Sequence, residues 1–293
     1  MAIVTGTATD YKTMLADFIT FLTTNASLVS GSQQWTVLRT VAAGGHNDHL
    51  LRGPGLASAD QIHVRLRSVE SGSNYGWDCH GFVSYNSVLT NDNQPGISPV
   101  CGMALRNASI PYWFLANGRR FMIIAKVSTY YMSLYGGFIL PWATPAEYPY
   151  PLYVGGSHQS GTSHNYTQAT GVVGSFWNPG GTCAYIRDTA GAWIEVAGHS
   201  GSGAPSTVDG IMWPYAFNIA QAAHADGSRA LWPCIPIKRV APTNIFGVLD
   251  GVHALQYTGV GAEDTFTQGG KSHTVFPSVY MSDKFSFAGL VME

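Results

Sequence analysis

The sequence predicts a mainly β protein, with antiparallel sandwich- or barrel-like sheets, one N-terminal α-helix and long Gly/Pro-rich loops. Three observations carry that prediction. One segment alone has strong helical spacing of its apolar residues. Nearly every other apolar run is short, β-branched or aromatic, or alternates with period two. The runs are separated by 34 glycines and 15 prolines. No fixed-period repeat is present, so solenoid and propeller architectures are not expected.

The helix falls within Asp10–Leu22, where Met14, Leu15, Phe18, Phe21 and Leu22 recur on one face and Thr9 or Asp10 serves as N-cap. Trp35–Thr40 then reads as a strand, followed by a glycine-punctuated loop through Gly44, Gly45, Gly53, Pro54 and Gly55. Gln61–Arg67 alternates strictly between polar and apolar residues, the pattern of a strand with one wet face. Gly81–Tyr85, Tyr112–Leu115 and Phe121–Val127 are short strands, and Asn117-Gly118 joins the last two as a tight hairpin. Thr129–Leu140 is also extended, interrupted by Gly136-Gly137, which marks a bulge or a close subunit contact.

Pro141–Pro151 holds four prolines in eleven residues and is excluded from helix and central strand, leaving an extended arm or a packed loop. Gly155–Gly171 lacks hydrophobic periodicity and reads as a surface loop. Cys183–Arg187 and Ala192–Val196 form a hairpin about Asp188–Gly191, and Asn218–Ala225 is a second helical candidate. Leu231–Val240, Phe246–Leu249, Val252–Tyr257, His273–Tyr280 and Phe285–Met292 complete the strands.

A chain of 293 residues suits one large domain or two ordinary ones. The reading here is a helical segment 1–25, a β-rich region 26–150 and a β-rich C-terminal region 151–293. The boundary rests on proline content, and a single undivided domain stays open. Charged residues make up 11% of the chain, against roughly 25% in an average soluble domain. Other subunits are therefore expected to cover much of the surface, in a homo-oligomer or larger assembly. With 15 basic and 17 acidic residues, a net charge of −2 and no basic cluster, neither a nucleic-acid partner nor a polybasic membrane anchor is expected. Met1–Gly6 has no secretory-signal pattern, and no apolar run approaches the roughly 18 residues of a spanning helix, so the chain reads as soluble and cytosolically made. Cys79, Cys101, Cys183 and Cys234 stand far apart and read as core thiols.

Catalytic patterns are weak. Gly198-His199-Ser200-Gly201 begins like a nucleophile elbow, but Ser202 stands where the pattern needs glycine. His46, His49 and His63 carry metal-type nitrogens, yet the first two fall in a Gly/Asn/Asp segment read as loop. Asp250, Glu263 and Asp264 lie beside glycines, where carboxylates cap turns. Gly44-Gly45 and Gly180-Gly181 match no phosphate-cradling motif. The expectation is a protein that is not an enzyme and uses no cofactor and no metal.

Phe246–Leu255, Gly261–Thr265, Gly269-Gly270-Lys271 and Val275–Asp283, with Phe285 and Phe287-Ala288, resemble the ending of a group of tailed-bacteriophage virion structural proteins. So does Tyr135–Pro145, and with the N-terminal helix and Trp35–Arg39 the resemblance spreads in blocks over most of the chain. It implies a virion location, other virion proteins as partners, and a non-enzymatic place in the tail baseplate or tail tip ahead of a collar or capsid-associated one. Within the Tyr/Pro segment, Trp142, Tyr148, Tyr150 and Tyr153 are the candidate subunit contacts, since aromatic anchors contribute much binding energy at small entropy cost. The alternative is an arm packed on its own domain. The competing function is a host-receptor or carbohydrate-binding module, in which Trp142, Trp177 and Trp193 stack on a host surface glycan.

Overall fold

Asp10 starts the helix. Its Oδ1 accepts hydrogen bonds from the amides of Lys12 and Thr13 at 2.8 and 2.7 Å, satisfying two of the free N–H groups of the first turn. The computed structural model describes residues 1–158, 163–167, 174–197, 209–214, 229–241, 243–255, 260–279 and 287–292. Strand β1 (Ala2–Ala8) precedes helix α1 (Tyr11–Thr24), and a short α2 (Ala26–Ser30) follows it. The buried face of α1 is Tyr11, Met14, Leu15, Phe18, Phe21 and Leu22, the stripe expected from spacing, with Tyr11 added.

Strands β2 (Thr36–Ala43), β3 (His46–Gly53), β4 (Ile62–Ser71), β5 (Asn74–Phe82) and β6 (Cys101–Leu105) form an antiparallel meander paired in that order. Next come β7 (Ile110–Ala116), β8 (Arg120–Val127), β9 (Tyr130–Phe138), β10 (Leu140–Pro141), β11 (Leu152–Gly156), β12 (Ala184–Arg187), β13 (Trp193–Ala197) and β14 (Gly210–Trp213). The last are β15 (Leu231–Pro233), β16 (Ile235–Lys238), β17 (Asn244–Ile245), β18 (Gly247–Val248), β19 (Val252–Leu255), β20 (Thr265–Gln268), β21 (Lys271–Pro277) and β22 (Phe287–Val291). A ten-stranded central sheet runs β1-β7-β8-β9-β11-β12-β13-β14-β16-β17, and a third sheet runs β15-β19-β22-β21-β20. Strands β13 and β14 pair in parallel; the other pairs among the described residues are antiparallel.

Strand β8 shows why three layers form. Phe121, Ile123 and Ala125 enter the core shared with α1 and the β2–β6 sheet, while Met122 and Ile124 enter the core shared with the third sheet. A strand covered on both faces reads as a continuous apolar run rather than an alternating one. Both cores therefore lean on one central wall.

Several expectations change. Strand β9 pairs with β11 from Leu152↔Phe138 to Gly156↔Leu134, so the regions 26–150 and 151–293 share a sheet, in keeping with the single undivided domain left open above. The expected loop after Thr40 is a hairpin, with Gly44 and Gly45 at φ 60 and 77 turning β2 into β3. The polar face of β4 is not wet: His63 and Arg65 are buried beside Ile62, Val64 and Leu66. Gly136 and Gly137 lie against β8 of the same chain, where a Cβ on Gly136 would meet the Phe121 ring at 2.5 Å. The hairpin of β12 and β13 is as expected, its turn capped by Asp188 accepting from the Ala190 and Ala192 amides. Gly155-Gly156 completes β11 rather than starting a loop. Asn218–Ala225, Gly198–Gly203 and much of 159–173 lie outside the described residues.

Candidate functional site

The proline-rich arm between β9 and β11 is tied down by its tyrosines. The buried Tyr148 hydroxyl donates to the Arg187 carbonyl, and its ring lies 5.7 Å from that of Phe246. The Tyr150 hydroxyl lies 2.9 Å from the Phe82 carbonyl and 3.0 Å from that of Gln61, and accepts from the His63 amide at 3.2 Å. The Tyr150 ring stands edge-on to Phe138 at 4.9 Å, with the Arg187 guanidinium 5.6 Å away. Tyr153, on β11, donates to the Phe176 carbonyl at 2.6 Å. Burial pushes the hydroxyl pKa of all three well above the ordinary tyrosine value. Of the four residues expected at a subunit contact, Tyr148, Tyr150 and Tyr153 pack against this chain's own elements. Each hydroxyl finds a backbone carbonyl within the chain. Trp142 differs: it is 60% exposed.

Trp142 leaves a two-stranded ribbon in which Leu140 pairs with Val248 and Pro141 with Gly247; its amide donates to the Phe246 carbonyl at 3.2 Å. Leu140, and Ile245 one residue before Phe246, are also exposed. The ribbon thus displays large apolar side chains on a backbone fixed from both sides.

Beside the ribbon lies a cavity of about 230 Å³, with Arg120, Leu140, Asp250, His253 and Lys271 among its lining residues. The Asn117-Gly118 turn positions Arg120, since the Asn117 carbonyl-side oxygen Oδ1 accepts from the amides of Arg119 and Arg120 at 2.8 and 3.0 Å. The Asn117 Nδ2 donates to Asp250 Oδ2 at 3.0 Å, and the same oxygen lies 3.3 Å from Arg120 Nε. Gly251 has φ 73, and a Cβ there would sit 2.7 Å from Arg120 Nη2, so glycine suits both the turn and the close approach. Three segments singled out in the sequence converge here: Tyr135–Pro145, Phe246–Leu255 and Gly269–Lys271. Arg120 was missed. Its one signal was a charge at the head of the apolar run Phe121–Val127.

A second polar region covers the outer face of the β2–β6 sheet. Arg65 donates to Asp48 twice and to Asp92 once, while Arg67 donates to Asp78. His164 Nε2 lies 3.0 Å from Asp78 Oδ1, and the His164 ring stacks on His158 at 3.9 Å. Burial pushes the Asp78 carboxyl up, but His164 and then Arg67 outweigh it and hold it at about 2. Burial, then the neighbouring His164, holds His158 down at about 4. Next to this network a groove of about 300 Å³ is lined by Val41, His46, Asp48, Arg67, Glu70 and Asp92, among others. Arg67 Nε and His46 Nδ1 are buried there without a hydrogen-bond partner among the described residues.

The histidines with metal-type nitrogens have separate partners: His49 Nδ1 bonds the Thr40 hydroxyl at 2.9 Å, and His63 Nδ1 the Val83 carbonyl at 3.2 Å. His46 and His49 are carried by strand β3, not a loop, and His63 by β4. Among the described residues no three His, Cys, Asp or Glu side chains are grouped to hold a metal. Glu263 is engaged by Lys126 and Tyr131, and Asp264 caps a turn by accepting from the Gly261 amide at 2.6 Å. Of the three tryptophans considered for sugar stacking, Trp177 is buried and Trp193 donates to the Gly96 carbonyl at 2.9 Å. The chain matches no protein-family model and no curated protein.

Proposed function

We propose that this chain is a non-enzymatic structural subunit of a tailed-phage virion, placed in the tail baseplate or tail tip and building the particle through subunit contacts. The observation that carries the reading is Trp142. A large aromatic side chain is held out to solvent at the end of a ribbon whose backbone is paired with Gly247–Val248 and tied to the Phe246 carbonyl. An anchor whose backbone is already ordered loses little entropy when a neighbour covers it. The charge-poor composition agrees with a surface that is covered by other subunits. The same reading makes the chain a homo-oligomer in contact with other virion proteins.

The test uses whole phage particles. The chain is expected in purified particles, with immunogold label at the tail end, and Trp142→Ala is expected to lower its incorporation without altering its folding. Absence from intact and disrupted particles alike, or full incorporation of the variant, overturns the reading.

A second reading, binding of a host surface glycan, is favoured by the outer groove. Its mixed carboxylates and guanidinium, with Arg67 and His46 nitrogens that lack a partner among the described residues, complement hydroxyl groups, which both donate and accept. A glycan array with the native chain and with Arg67→Gln separates the two. Saturable binding lost in the variant supports the module; no binding leaves the subunit.

A further inference from the structure

The cavity beside the Trp142 ribbon holds a buried cation whose one ion pair among the described residues is an oblique contact with Asp250. The Arg120 side chain is 1% exposed. Its Nε and Nη1 have no hydrogen-bond partner among the described residues, and its Nη2 reaches the Met1 Sδ at 3.1 Å, a weak acceptor. Asp250 is close, but its nearer oxygen is already taken by Asn117 and is not aligned with Arg120 Nε for a hydrogen bond. Lys271 adds a second cation to the lining, and His253 adds a buried Nδ1 that also lacks a partner. Among the described residues the buried Arg120 guanidinium and the exposed Lys271 ammonium thus share one carboxylate, and a poorly paired charge is costly at the buried one.

We propose that this cavity binds a small oxyanion, a carboxylate or phosphate group, held by Arg120 with Lys271 and His253 as further donors. The unbranched Met1 side chain yields readily. Once it does, the Nη1–Nη2 end of the guanidinium presents two parallel donors, the geometry that grips a planar oxyanion at two points. Burial, with His273 and Lys271 nearby, holds His253 below its ordinary pKa, so at neutral pH it contributes an N–H and not a charge. A volume of about 230 Å³ admits a group of this size with room for water, each molecule of which takes about 30 Å³. The oxyanion has two sources: a free small acid or phosphate, or a carboxylate on a neighbouring polypeptide.

Isothermal titration calorimetry on the whole chain at low ionic strength tests the site. The probes are succinate, inorganic phosphate, and an acetylated and amidated Gly-Asp-Gly peptide whose only charge is its side-chain carboxylate. Saturable one-site binding by at least one probe is expected. It should weaken about tenfold in Arg120→Lys and about threefold in the surface variant Lys271→Ala, and tighten in Asp250→Asn, which removes the competing carboxylate. Binding of succinate or phosphate assigns a free ion, and binding of the peptide alone assigns a protein carboxylate. No saturable binding by any probe, or equal affinity in native chain and variants that remain folded by circular dichroism, overturns the proposal.

Discussion

Arg65 on β4 and Asp48 on β3 form a two-point ion pair, Nε to Oδ1 at 2.8 Å and Nη2 to Oδ2 at 2.7 Å, with the arginine side chain 1% exposed. Removing one partner of such a pair leaves the other charge buried. Arg65→Met is expected to cost about 3–5 kcal/mol. Asp92→Asn, at a carboxylate that is 68% exposed, should cost less than about 1 kcal/mol. Urea midpoints measure both, and equal effects would contradict the burial argument.

The arm predicts a different contrast. Tyr150→Phe leaves the His63 amide and the Phe82 and Gln61 carbonyls without their shared partner and should destabilise the isolated chain by about 1–3 kcal/mol. Trp142→Ala should change its stability by no more than about 0.5 kcal/mol. Thermal unfolding of the two variants reads the difference.

Acid should weaken the fold before any carboxylate is titrated. Burial holds both His63 and His158 down at about 4, with Arg52 adding to the first and His164 to the second. The unfolded chain, near the ordinary value of about 6.5, takes up protons that the folded chain refuses. Their stabilisation is complete above pH 6.5 and is lost as pH falls from about 6.5 to 4, at up to about 1.4 kcal/mol per unit for each histidine. Asp78, depressed to about 2, adds a separate loss below about pH 4. Urea titrations at stepped pH measure the slope, and His158→Asn should flatten it.

All four cysteines are free and buried. Burial pushes the thiols of Cys101 and Cys183 up, and that of Cys234 to about 12. A thiol-specific colorimetric reagent should find no reactive cysteine in the native chain and all of them in denaturant, at a rate that follows unfolding.

Phe18 touches Phe21, Trp77, Phe114 and Phe121, and so joins α1 to two sheets. Phe18→Ala should cost about 3–5 kcal/mol in chemical denaturation. A value below about 1 kcal/mol would mean that α1 is dispensable to this core.

Local pattern made α1, β4, and the β7–β8 and β12–β13 hairpins legible, because each has its own period or turn signal. Strand β1 was not legible: in Ala2–Ala8 the β-branched Ile3, Val4, Thr5 and Thr7 are broken by Gly6 and flanked by alanines, and its place is set by pairing with β7. Strand β3 was hidden because His46-Asn47-Asp48-His49 has loop composition, yet Asp48 is needed there to hold Arg65. For the candidate site, Trp142 was legible as an aromatic among prolines. Arg120 was not, because its importance comes from Asp250 and His253, which lie more than a hundred residues further along the chain. Long-range pairing leaves no local trace.

The pairing of β1 with β7 also bears on the order of events during synthesis. Ala2–Ala8 meets Ile110–Ala116, so the ribosome must deliver roughly a hundred further residues before the first strand has its partner. Until then α1 lacks Phe114 and Phe121 against its apolar stripe. A nascent chain halted near residue 100 therefore carries a half-covered helix and an unpaired strand, while one released past the β7–β8 hairpin can close both.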